Sequence, residues 1–219
     1  MFQNYEVVMT FNYPSSVIGL SGGIGCGKST ALKIFSELEC TIIESDKIVH
    51  ELYEENSEDS ARFRKILTDK WGNEVLTEGN LDRKKIGKIV FTNKNALEWL
   101  NSNTHPYVFS RAEMIIKASP KSRIIIFDIP LLFELGIEKD FSSTIAIWTN
   151  KEQQTKRLKA RNWTEHEIYE RIKNQLTPDI KLERASYGII NTGDLNYLKE
   201  QCKQILIKIT KKINQKDGK

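Results

Sequence analysis

Four residues carry the clearest chemical signature in this chain. They are Gly22, Gly27, Lys28 and Ser29, in the spacing Gly-x-x-x-x-Gly-Lys-Ser. That spacing is a phosphate-binding loop pattern. Glycines let the backbone turn tightly, so that successive N–H groups can face phosphate oxygens. A helix beginning near Lys28 would aim the positive end of its dipole, roughly half an elementary charge, at the same place. Lys28 adds a full charge that can reach β- and γ-phosphates, and Ser29 offers a hydroxyl to Mg2+. Gly23, Ile24, Gly25, Cys26, Gly27, Lys28, Ser29 and Thr30 are therefore the candidate nucleotide-binding loop.

Two acids and two arginines extend this set. Asp46 closes Glu44-Ser45-Asp46, directly after the apolar run Cys40–Ile43. In open parallel α/β sheets ligands bind at the C-terminal ends of strands, so an acid there is placed to meet what the loop presents. Asp128 ends Arg123-Ile124-Ile125-Ile126-Phe127-Asp128, four apolar residues running into an acid. This is the pattern of a Walker B strand, whose Asp holds Mg2+ or its water shell. Arg157 and Arg161 are four residues apart and would share one helix face. They lie in a basic stretch, Lys151–Gln175, interrupted at Asn162-Trp163-Thr164. Two basic helices with a hinge between them suit a lid over a polyphosphate.

The elements that must position these residues alternate in type. Residues 17–20 read as a buried strand and Lys28–Leu38 as a helix, with Ala31, Leu32, Ile34, Phe35 and Leu38 at helical spacing. Residues 40–43, 123–128, 144–148 and 187–190 read as four further strands. Between Lys47 and Lys121 strand patterns vanish and charged helical periodicity takes over. Asn73–Gly79 reads as a turn, a helix opens at Leu81-Asp82-Arg83, and His105-Pro106 breaks a helix in two. Thr164 with Glu167 makes a capping box, and Asp194 caps a last helix, Leu195–Ile213, before a polar tail.

This predicts an α/β protein: a P-loop three-layer fold with a five-stranded parallel sheet flanked by helices. Residues 1–15 read as an N-terminal extension. Residues 16–45, 122–150 and 186–219 form the expected nucleotide-binding core, with a helical insertion at 46–121 and a helical lid at 151–185.

Composition sets bounds. The 219 residues carry a net charge of +4, with 39% hydrophobic and 28% charged residues, which suits a globular chain and an anionic small molecule. That charge is too small to argue for nucleic acid. Three widely spaced cysteines, Cys26, Cys40 and Cys202, make neither a disulfide framework nor a zinc site, so a reducing, cytoplasmic setting is expected. Neither a membrane span nor a secretory signal is legible. A monomer is expected. Cys26 sits inside the loop and reads either as an oxidant-sensitive thiol or as a small residue tolerated there.

The fold alone does not settle function. Guanine-reading Asn-Lys-x-Asp is absent, since Asn93-Lys94-Asn95-Ala96 and Asn150-Lys151-Glu152-Gln153 both lack the Asp. A small-molecule kinase fits the insertion and lid better. A catalytically impaired ATP-binding module stays open as the alternative, beside another small-molecule or nucleoside kinase.

The chain further resembles the dephospho-CoA kinase family. The resemblance rests on Ile18–Thr30, Gly79-Asn80-Leu81-Asp82-Arg83, His105-Pro106, Asp128-Ile129-Pro130-Leu131-Leu132-Phe133-Glu134, Gln154-x-x-Arg157-x-x-x-Arg161, Arg171-x-x-x-Gln175 and Asn191-Thr192-Gly193. It implies transfer of the ATP γ-phosphoryl group to the ribose 3′-hydroxyl of dephospho-CoA, with Mg2+. It implies Asp46 as general base and Lys28 and Arg157 at the transferring phosphate. Arg161 and Asn191 would serve ATP, and His105, Leu131, Leu132 and Phe133 the acceptor. The sequence departs from the family's usual residues at Glu44, Phe109, Trp148, Ser186 and Ile190.

Overall fold

The structure, a computed structural model, describes residues 13–54 and 57–217, apart from the side chains of Phe91, Lys216 and Asp217. Most of the expected N-terminal extension, residues 1–12, lies outside the described residues. Its end belongs to the core: Tyr13 is buried, with its ring 4.8 Å from Phe141 and edge-on to Phe127 at 6.2 Å.

The described chain forms two compact units, one up to Ile43 and from Ser119 onward, the other Glu44–Ala118. In the first, a five-stranded sheet is built from β1 (Val17–Gly22), β2 (Thr41–Glu44), β5 (Ile125–Asp128), β6 (Thr144–Trp148) and β7 (Tyr187–Ile190), in the order β2-β5-β1-β6-β7. The β1–β5, β1–β6 and β6–β7 pairs are parallel. Apolar runs make these strands because helices cover both faces, as parallel sheets require. Every residue of β1 and β5 is buried. The register sets Leu20 beside Asp128 and Gly22 beside Ile147, which brings the acid alongside the strand that feeds the loop. The chain leaves β1 toward β2 on one side, while β6 and β7 build the other. The loop after β1 thus sits at the topological switch point, where such sheets bind ligands.

Helix α1 (Lys28–Glu37) buries Ala31, Leu32, Ile34 and Phe35, and α9 (Leu195–Asp217) packs Leu198, Cys202, Ile205 and Ile209 into the same core. Each fully buried Leu, Ile or Phe there stabilises the fold by roughly 1.5–3 kcal/mol. Helix α9 runs past the expected end at Ile213, so part of the polar tail is helical. Asp194 accepts a hydrogen bond from the Tyr197 N–H at 2.8 Å, as a capping residue should. The three cysteines are free and buried. Burial pushes the Cys40 thiol to about 11 and the Cys202 thiol to about 12, so both are inert.

Between β6 and β7 the chain forms α6 (Lys151–Lys159), α7 (Glu165–Ile172) and α8 (Pro178–Arg184). The Thr164 capping box forms as the sequence predicts. Helix α8 is missing from the sequence expectation, although Thr177-Pro178 carries its signature: an N-cap threonine accepting from Ile180, then proline in the first turn.

Helix α8 carries a fully buried lysine. Lys181 Nζ donates to the Pro130 carbonyl at 2.8 Å and pairs with Glu134 at 2.9 Å, and Glu134 also accepts from the Leu176 N–H at 2.8 Å. Burial draws the Lys181 ammonium below its ordinary range, while the Glu134 carboxylate pulls the other way. Breaking a buried pair leaves an uncompensated charge. Lys181→Met is therefore expected to lower stability by about 3 kcal/mol, read by chemical denaturation. Changing Glu134→Gln in the same chain should restore part of that loss.

The second unit holds α2 (Ser45–Glu54), α3 (Glu58–Trp71), α4 (Arg83–Thr92) and α5 (Lys94–Ala118). The expected turn at Asn73–Gly79 is instead a 3-10 turn, Asn73–Val75, followed by a two-stranded hairpin, β3 (Leu76–Thr77) and β4 (Asn80–Leu81). Asp82 caps α4 through the Lys84 and Lys85 N–H groups. The expected break at His105-Pro106 does not occur, for α5 runs straight through Pro106. Burial offsets the roughly 3 kcal/mol proline penalty. Ala96, Thr104, Val108, Phe109 and Ala112 are all buried along the helix. Trp71 and Trp99 meet edge-on at 5.0 Å within this unit's core, so they are packing residues.

Candidate nucleotide-binding and phosphotransfer site

The loop between β1 and α1 is shaped by glycines at positions no other residue could fill cheaply. Gly25 and Gly27 hold φ of +75° and +95°. A Cβ on Gly22 would lie 2.8 Å from the Ile147 carbonyl, and one on Gly27 would lie 2.1 Å from Asn191 Nδ2. Gly27→Ala combines left-handed strain with that collision. It should weaken ATP binding by about 10–100-fold, the equivalent of 1–3 kcal/mol of local strain, as read by titration calorimetry.

Helix α1 starts with Gly27 as N-cap, with no side-chain cap and no acid in its first turn. The first intrahelical bond from this end is Ala31 N–H to the Gly27 carbonyl. An uncapped, acid-free helix start is an anion receptor, since its free N–H groups and dipole await a negative partner. Lys28 is half-buried, with its stem beside Gly22, while Ser29 and Thr30 are exposed.

Cys26 is fully buried, and burial raises its thiol. That favours the small-residue reading over the oxidant-sensitive one.

The loop is gripped from outside by side chains of later elements. Asn191 Nδ2 donates to the Cys26 carbonyl at 2.8 Å. Arg157 Nη2 donates to the Asn191 carbonyl at 3.0 Å, and Thr149 Oγ1 donates to the same carbonyl at 2.9 Å. Gln154 Nε2 donates to the Ile24 carbonyl at 2.7 Å, and the Ile24 N–H donates to Gln175 Oε1 at 3.2 Å. Arg157 and Asn191 are thus brought to the loop. Arg161 lies beyond the end of α6. Helix α6 ends at Lys159, and Asn162, at φ +62°, closes the turn that carries Arg161 outward to an exposed position.

Asp128 is 7% exposed at the end of β5. The turn beyond it is fastened to β1: the Ile129 N–H donates to the Leu20 carbonyl and Ser21 Oγ to the Pro130 carbonyl, both at 2.9 Å. In that turn Leu132 and Phe133 are 0% and 1% exposed, so they present no surface to a ligand in this structure; Leu131 is half-buried. Asp46 is exposed in the first turn of α2, in the other unit. His105 is half-buried in α5, its ring 6.2 Å from Phe109, and burial pulls it below the ordinary imidazole range, leaving it neutral near pH 7.

Several sequence departures have local partners. Trp148 Nε1 donates to Asp179 at 2.9 Å, Ser186 exchanges two 3.1 Å bonds with Thr144, and Gln201 holds both backbone groups of Ile190 at 2.9 Å.

Among the described residues no three or more His, Cys, Asp or Glu side chains gather to hold a metal. The donors expected from the sequence are the Ser29 hydroxyl, exposed in the first turn of α1, and the Asp128 carboxylate at the end of β5. This oxygen-only, incomplete set fits Mg2+, which keeps its waters and takes its remaining ligands from substrate phosphates.

Loop, sheet order and flanking helices together define a P-loop nucleotide-binding fold. The model of the dephospho-CoA kinase family matches residues 16–196. The chain belongs to that family. It is 38% identical to the dephospho-CoA kinase of Carboxydothermus hydrogenoformans, over 88% of this chain and 93% of the relative. With that of Leptospira interrogans it shares 36%, over 86% and 90%. Two solved structures agree in fold. TT1252 from Thermus thermophilus has a TM-score of 0.71 at 26% identity, over 88% of this chain and 96% of the other. Dephospho-CoA kinase from Campylobacter jejuni has 0.59 at 28%, over 90% and 98%.

Proposed function

We propose that this protein phosphorylates the ribose 3′-hydroxyl of dephospho-CoA with ATP, giving CoA and ADP, the last step of coenzyme A biosynthesis. The observation that carries this reading is the family match across residues 16–196, which takes in both the phosphate loop and the Asp128–Glu134 turn.

Phosphoryl transfer needs charge neutralisation and alignment more than covalent help. In this reading the loop N–H groups and Lys28 take the β- and γ-phosphates. Ser29 and Asp128 would hold Mg2+, which would supply charge neutralisation at the phosphates. Asp46 orients the acceptor hydroxyl and takes its proton. Its exposed place at a helix start suits a group that must meet an incoming substrate. Arg157, already bonded beside the loop, moves onto the triphosphate, and Asn191 lies toward the adenine. Leu131 meets the acceptor, while Leu132 and Phe133 anchor the turn from beneath. His105 contributes a neutral imidazole to the acceptor side. Residues 151–185 act as the lid and 46–121 as the acceptor domain. Lid closure keeps out water, which would otherwise compete as acceptor.

Free, buried thiols support a reducing cytoplasmic setting. Among the described residues no helix is long and apolar enough to cross a membrane. ATP and dephospho-CoA are the proposed partners of a monomeric enzyme. ADP release with dephospho-CoA, adenosine and nucleoside monophosphates as competing acceptors tests the reading. Turnover confined to dephospho-CoA is expected, and a preference for any other acceptor would replace it.

A further inference from the structure

We propose that Gln154 and Gln175 are positioning residues that fix the phosphate loop at Ile24 and tie ATP binding to the α6–α7 segment. The proposal rests on the kinase reading above and adds to it two residues with an assigned task.

Ile24 lies between Gly23 and Gly25, so its neighbours impose little on the orientation of its peptide groups. Orientation comes from outside. Gln175 Oε1 accepts the Ile24 N–H at 3.2 Å, and Gln154 Nε2 donates to the Ile24 carbonyl at 2.7 Å. One glutamine is used as acceptor and the other as donor, and an amide can serve as either. Gln154 is 6% exposed, so its bond is made away from competing water.

The two glutamines sit at opposite ends of one stretch. Gln154 is on α6, and Gln175 follows α7. The basic residues between them, including Arg157 and Arg171, therefore belong to a segment that leaves from and returns to a single loop residue. Contact is tight: a Cβ on Gly25 would lie 3.0 Å from Leu158 Cγ and 3.3 Å from Gln154 Cγ. Movement of α6–α7 must either release Ile24 or carry it along. Nucleotide held by the loop and the position of the segment then share one free-energy balance.

The test uses the full chain. Gln175→Met and Gln154→Met keep side-chain length and remove the acceptor and the donor respectively. Each should weaken ATP binding, measured by calorimetry without acceptor, by about three- to tenfold, the scale of one hydrogen bond. KM for ATP should rise while KM for the acceptor is unchanged, and amide exchange at Ile24 should speed up. The double variant should lose less than the product of the two single losses, because both act on one residue. Parental ATP affinity in Gln175→Met overturns the proposal. So does a fall in melting temperature with Ile24 exchange unchanged, since that marks packing alone. Should buried Gln154 not tolerate substitution, the half-buried Gln175 decides by itself. Failure of the acceptor reading would look different: the parent protein would bind ATP and leave dephospho-CoA untouched.

Discussion

Lys28→Ala is expected to lower kcat by at least about 10²–10³-fold, the scale of losing one transition-state donor in a preorganised site. The position explains both the size and the selectivity of the effect. Lys28 opens α1 at an uncapped, acid-free helix start, so its ammonium adds to dipole and N–H groups that converge on one anion. During transfer, charge spreads over the γ-phosphoryl oxygens. A cation there acts more strongly on the transition state than on bound ATP, so kcat falls further than affinity. Alanine favours the helix, and the fold should survive the change. Steady-state ADP release with a parallel melting curve checks this. Near-parental turnover would remove the phosphate-loop assignment.

Asp46→Asn should abolish most turnover, by about 10²–10⁴-fold, the range for general acid–base catalysis, with ATP binding retained. Asparagine keeps the shape and can still bond a hydroxyl, but it cannot take the proton. The exposed position in the first turn of α2 limits the structural cost to the helix-dipole term, about 0.3–1 kcal/mol. Calorimetry with ATP separates the roles. Loss of ATP binding in this variant would assign Asp46 to the metal or the loop instead of to the acceptor hydroxyl.

The phosphate loop was legible because its chemistry is local. Gly22, Gly27, Lys28 and Ser29 must be consecutive in space, so they are close in sequence, and the apolar strand and amphipathic helix beside them follow directly. The Asp128 strand was legible for the same reason. What escaped was non-local or depended on packing. Lys181 reads as one more charge on a short helix, and only the fold brings it to Glu134 and Pro130. Gln154 and Gln175 lie in stretches that carry the family resemblance, yet spacing alone assigns them no task, because their shared partner Ile24 is over a hundred residues away.

Local rules also reach their limit in two places. Proline predicts a helix break at Pro106, but buried contacts along α5 outweigh it. A four-residue spacing predicts a shared face for Arg157 and Arg161, but the helix ends at Lys159, before the second arginine. Leu132 and Phe133 show the reverse limit. An apolar run past a strand end could wall a pocket or fill a core, and pattern alone does not say that Leu132 and Phe133 are 0% and 1% exposed.

The central claim is that the acceptor atom is the ribose 3′-oxygen of dephospho-CoA. The most direct measurement is phosphorus NMR of the product formed from dephospho-CoA, ATP and Mg2+. One new phosphomonoester resonance, coupled to the ribose H3′ and matching CoA, is expected to appear one-for-one with ADP. A phosphate on any other atom, or ADP released with inorganic phosphate alone, would contradict it.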